Sequence, residues 1–122
     1  GVRRLNVDTM KSTLEEIERR KQSAISAIKD AFGTEKDEDG ATLFVSHHLD
    51  EIEGTYWKKY LDSSRPEPKR VLDILVFQSH WGEEDDDGID TFDFTLPGEV
   101  TNYVISVRFD EAGDVEEIVM ES

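Results

Sequence analysis

The 122-residue chain reads as one α+β domain, residues 1–122, built as a two-layer sandwich. N-terminal helices are expected to pack on a C-terminal antiparallel β-meander of three or more strands. Three observations predict this. Apolar residues recur at three- and four-residue steps through the first half of the chain. From Phe92 onward they alternate every second residue. The segments joining the alternating runs are short, which implies antiparallel pairing. There is no internal repeat, and no linker long enough to divide domains.

The first element is expected from about Thr9 to Phe32. Met10, Leu14, Ile17, Ala24, Ile25, Ile28 and Phe32 form one face of an amphipathic helix. Asp8 suits the N-cap and Gly33 the C-terminal stop. Glu15 and Glu16 precede Arg19 and Arg20 by four residues, so "RRK" at 19–21 reads as intrahelical ion pairing on the polar face. "TEKDEDG", 34–40, reads as a polar loop. Val45, Leu49, Ile52, Tyr56 and Tyr60 then keep helical spacing across Gly54. That predicts two short helices, or one with a weak point, with a break near Glu53.

"DSSRPEPKR" punctuates the chain. Ser63 or Ser64 can cap, Pro66 or Pro68 can occupy a first turn, and Glu67 suits the positive end of a helix dipole. The run "VLDILVFQSHW" fits a helix or a buried strand by periodicity. The capping signals and its length favour a helix over about 67–79, ended by Gly82. Phe92, Phe94 and Leu96 define the next strand. Tyr103, Ile105, Val107 and Phe109 define another, and Val115–Met120 a last one. The last strand carries apolar residues on both faces, so its pattern does not specify which faces the core. Left uncovered, it could pair with a second copy; the oligomeric state is not specified.

Charge bounds the function. Residues 1–36 carry eight cations against six acids, and 37–78 five against nine. Residues 79–122 set Arg108 alone against fourteen acids, giving most of the formal net charge of −15. Such a surface repels nucleic acid and anionic lipid and favours a basic or polar protein partner. No apolar run is long enough to span a bilayer, no secretory pattern is present, and there is no cysteine. A cytoplasmic location is expected.

The densest candidate is "SHWGEEDDDGID". As a partner-docking surface it would use His80, Trp81, Glu83, Glu84, Asp85, Asp86, Asp87 and Asp90, an aromatic anchor within a charged rim. The bland reading is a solvated turn enabled by Gly88. An EF-hand fits poorly. With Gly88 at position 6, Glu83, Asp85 and Asp87 fall at 1, 3 and 5, but position 12 is Phe94, which cannot ligate. A looser calcium or magnesium site is compatible with so many carboxylates. His47 and Glu51, one helical turn apart, could share a metal with His80, but no ligand pair at zinc spacing supports it. No nucleophile elbow or phosphate loop appears, so no catalytic residue, cofactor or metal is assigned. Arg108 is expected to pair across strands with Asp93 or Glu117.

The stretches "FVSHHLDEIEGTYW", "VLDILVFQSHWGEEDDDGIDTFDFTLP" and "YVISVRFDEAGDVEEIVMES" resemble a bacterial family catalogued as domain of unknown function number two-thousand-and-four. The resemblance covers roughly residues 41–122 and implies a small α/β two-layer sandwich, with no activity or site to carry over. The leading expectation is a non-enzymatic acidic protein-interaction domain of immunity, adaptor or regulator type. The alternative is a metal-dependent or carboxylate-based hydrolase using His47, His48, His80 and neighbouring acids.

Overall fold

A computed structural model describes residues 2–82 and 88–122, with side chains from residue 14 onward. In chain order it contains α1 (Val2–Ala31), α2 (Ala41–Glu51), α3 (Gly54–Leu61), the single turn α4 (Pro68–Val71) and strands β1 (Val76–Trp81), β2 (Thr91–Thr95), β3 (Val104–Phe109) and β4 (Val115–Glu121). The strands form one antiparallel sheet in sequence order, β1-β2-β3-β4. Helices come first and strands last, as the change of period requires.

α1 starts earlier than expected. No Gly or Pro interrupts Val2–Ala31, so Asp8 lies inside the helix and does not cap it. Gly33 ends it at φ 83, a backbone region that favours glycine. Ala24 and Ile28 are fully buried, and Ile17, Ile25 and Phe32 pack at the core edge. Leu14 does not join them: it is 64% exposed, so the apolar stripe outruns the sheet.

The basic run on α1 does more than pair within the helix. Glu16 holds both Arg19 and Arg20 at 2.7 Å. Arg19 Nη2 also donates to Gly113 O (3.0 Å), in the β3–β4 turn. Arg20 is buried, donates through Nη1 to Ile89 O (2.6 Å) and lies over the Phe109 ring. One carboxylate thus aims two guanidiniums that fasten α1 to two separate connections of the sheet. The Glu16 carboxyl is held at about 2, first by these hydrogen bonds from Arg19 and Arg20.

The loop before α2 hides a cap. Asp37, only 3% exposed, accepts hydrogen bonds from Ala41 N–H (3.2 Å), Thr42 N–H (2.8 Å) and the Thr42 hydroxyl (2.8 Å). A carboxylate is favourable there, because the first amides of a helix are unpaired and carry the positive end of its dipole. Gly40 is required by contact: a Cβ would stand 2.8 Å from Ile118 O and 3.1 Å from Ile118 Cγ2, besides meeting Asp37 Oδ1. α2 and α3 break at Ile52–Glu53, as expected. Gly54 lets the chain pass Ser64, whose Cβ and O would lie 3.0 and 3.2 Å from an added Cβ.

The helix expected over 67–79 is not present. Pro68 does sit in a first turn, but α4 stops at Val71, a 3-10 turn covers Leu72–Ile74, and β1 follows. Gly82 therefore follows a strand rather than ending a helix. The capping signals mark only the one-turn α4, and the length of the run is shared among that turn, the 3-10 turn and a strand. The β1–β2 register slips between Phe77 and Ser79, so Phe77 and His80, three residues apart, both reach the helix-covered face. A bulged strand reproduces the three-residue step of a helix, and the sequence pattern follows it.

β4 has the same device. Its register with β3 slips between Arg108↔Glu117 and Phe109↔Val115, leaving Glu116 as the extra residue. Val115, Ile118 and Met120 consequently all pack on the core, while Val119 faces away. This accounts for its mixed pattern. The free edge of β4 is partly occupied, since Met120 N–H donates to Asp39 O (2.9 Å).

The core lies between the helices and one sheet face. Phe92, Phe94, Ile105, Val107 and Phe109 meet Ala24, Ile28, Phe44, Val45, Trp57 and Leu72. Arg108 pairs with Glu117 (3.8 Å), directly opposite in register, the second of its two expected partners.

Candidate functional site

The opposite sheet face carries a groove of about 470 Å³. The strand registers place its residues in rows. Trp81, Thr91, Arg108 and Glu117 lie side by side across the four strands; the next row is Ser79, Asp93, Ser106 and Val119. Thr91, Val104 and Ser106 form a closed floor, each under one-tenth exposed. Asn102 and Glu121 also line it.

Asp93 is the centre of this face. Its Oδ1 accepts from the Ser106 hydroxyl (2.6 Å) and its Oδ2 from Trp81 Nε1–H (3.2 Å). The indole is 38% exposed, yet its edge is fixed by that hydrogen bond. An aromatic face is thereby presented in one orientation beside a carboxylate. Three acids, Asp93, Glu117 and Glu121, line the groove against Arg108.

The residues expected for docking separate. Trp81 faces the groove. His80, its neighbour, points to the other side of β1, stacked on Phe77 and Phe92 with ring centroids 6.1 and 5.4 Å away. Its Nδ1–H donates to Gly88 O (2.7 Å), which closes the β1–β2 connection. Asp90 ends that connection, where its carbonyl accepts Phe109 N–H (2.7 Å). Glu83, Glu84, Asp85, Asp86 and Asp87 lie outside the described residues. Phe94, at the twelfth position of the calcium reading, is buried in the core.

The remaining histidines are built differently. His48 is 1% exposed. Its Nδ1–H donates to Phe44 O (2.6 Å), so the neutral ring offers Nε2 as acceptor to the Thr101 hydroxyl (2.8 Å). Thr101 Oγ1 in turn accepts Tyr103 N–H (3.2 Å). His48 therefore pins the β2–β3 connection to α2, and both ring nitrogens are committed. Burial pushes its pKa below the ordinary value, more than the Phe44 carbonyl raises it. His47 lies edge-on to His48 and to Tyr103. Among the described residues, no three His, Cys, Asp or Glu side chains are grouped so as to hold a metal ion.

A second pin lies nearby. Tyr56 Oη–H donates to Pro97 O (2.8 Å) in the same connection, and burial pushes this phenol up to about 12. Gly98, following Pro97, takes φ 83 as such a turn demands. Two features were missed from sequence. The Asp93–Ser106 pair had only its outward alternation as a signal, because the register that joins it is not written locally. The Thr101 pin had no local signal at all. No family model, curated protein or solved structure matches this chain.

Proposed function

We propose that this chain is a non-enzymatic protein-interaction domain that docks a basic or polar partner on the outer face of its sheet, in the manner of an immunity, adaptor or regulator protein. The observation that carries this reading is the groove, open among the described residues, in which an exposed, hydrogen-bonded Trp81 stands among Asp93, Glu117 and Glu121. Interfaces favour an aromatic anchor within a polar rim. The net of −13 over residues 79–122 would steer a cationic partner toward it. Five of the acids behind that net fall in the sequence run 83–87. Kinship with family two-thousand-and-four, and a cytoplasmic location, belong to the same proposal. Among the described residues, no helix is long and apolar enough to cross a membrane.

The hydrolase reading has less support, because His48 spends both nitrogens on structure and His80 is turned to the other side of the sheet from the groove. The test is retention of proteins from native lysate at low and moderate ionic strength, with Asp85, Asp86 and Asp87 changed to Asn in one variant and Trp81→Ala in another. Basic proteins retained by the wild type and lost from the variants support the reading. Failure to retain any basic protein even at low ionic strength refutes it.

A further inference from the structure

Resting on that docking reading, we propose that the groove seats an arginine side chain of the partner, its planar guanidinium stacked on the Trp81 indole and hydrogen-bonded to Asp93. Three observations converge on this chemistry. First, Trp81 is exposed yet oriented, because its Nε1–H is tied to Asp93 Oδ2 at 3.2 Å. Indole is the best side-chain platform for a cation, and a ring already held in place loses little freedom on binding.

Second, among the described residues each Asp93 oxygen receives one hydrogen bond, from Trp81 or from Ser106. A carboxylate accepts more than two, so lone pairs remain for a charged donor. The indole edge and the carboxylate share a boundary. A flat cation laid on the ring is thereby brought beside the remaining acceptor sites.

Third, the charge balance selects the sign. Arg108, the one cation among the described lining residues, stands two strands from Trp81 and opposite Glu117, with which it pairs at 3.8 Å. Among the described lining residues three acids, Asp93, Glu117 and Glu121, stand against this single cation. Arginine is preferred to lysine here because only guanidinium both stacks flat on an aromatic ring and forks toward a carboxylate.

The test uses Trp81 as its own reporter. Trp57, the other tryptophan, is 1% exposed and supplies a constant background. The probe is a blocked peptide Gly-Arg-Gly-Arg-Gly, with matched lysine and glutamate peptides, titrated at low ionic strength while tryptophan emission is followed. The arginine peptide should perturb the emission saturably, bind more tightly than the lysine peptide, and leave the glutamate peptide inactive. Trp81→Ala, followed by calorimetry, and Asp93→Asn should each weaken it about tenfold or more. Unchanged thermal unfolding of Trp81→Ala would assign that loss to the groove rather than to the fold. Arginine-peptide binding undiminished in both variants overturns the groove site but leaves acidic docking elsewhere. Equal binding of the lysine peptide overturns the guanidinium stack. Absence of binding by every basic peptide overturns the guanidinium site, while the docking reading stands or falls on the lysate retention experiment.

Discussion

Replacing Asp37 by Ala should destabilise the domain by about 3 kcal/mol, although the residue sits in what reads as a solvated loop. Its carboxylate accepts three hydrogen bonds at 2.8–3.2 Å while almost wholly buried. Losing a helix cap costs about 1–2 kcal/mol. The Thr42 hydroxyl also loses a charged acceptor, about 1.5 kcal/mol more. Unfolding entropy of roughly 2.1 cal/mol/K per residue, taken over the chain, converts this total to a fall in Tm of about 12 °C. Asp37→Asn keeps the volume and one acceptor oxygen, so it should lose about half as much. Urea unfolding followed by circular dichroism measures both. A loss under about 0.5 kcal/mol for Asp37→Ala, at unchanged m-value, would refute the idea that this side chain holds the start of α2.

Burial keeps the His48 pKa below 6.5, so the unfolded chain takes up the proton first; its contribution to stability is full above pH 6.5 and is lost as pH falls through the folded value. Urea midpoints between pH 8 and 5 should therefore decline for the wild type and flatten in His48→Gln, and parallel profiles would contradict this. Gly40→Ala should cost about 2 kcal/mol or more, since the new methyl meets the Ile118 backbone on β4; calorimetric unfolding checks it. In alkaline ultraviolet titration, one tyrosine should ionise late, near 12, and that phase should vanish in Tyr56→Phe. Glu16→Gln should flatten the acid limb of stability between about pH 4.5 and 2, where the wild type gives up its lowered carboxyl, and should speed amide exchange around Gly113.

What could be read from the residues was whatever local chemistry writes. Gly33 marked the end of α1, Gly54 marked the α2–α3 break, and strict alternation marked β2 and β3. Illegible features all depended on distant parts of the chain. β1 was disguised because the caps of the one-turn α4 and the length of the run favoured a helix, and its bulge, setting Phe77 and His80 at a helical interval, left no contrary pattern. β4 was ambiguous for the same reason at Glu116. The Asp37 cap was lost in "TEKDEDG", where four acids look alike and only burial singles one out. Trp81 drew notice beside the acids. Its outward direction and its bond to Asp93 follow from a register that no single segment encodes, as does the opposite direction of His80.

The two bulged margins have a further consequence. A sheet whose outermost ribbons are kinked at both borders, with a loop carbonyl already engaging Met120, offers poor seeds for templated growth. Concentrated solutions should consequently resist fibril formation. Any assembly the chain joins would then be built through its broad face or its helices, leaving strand count fixed at four.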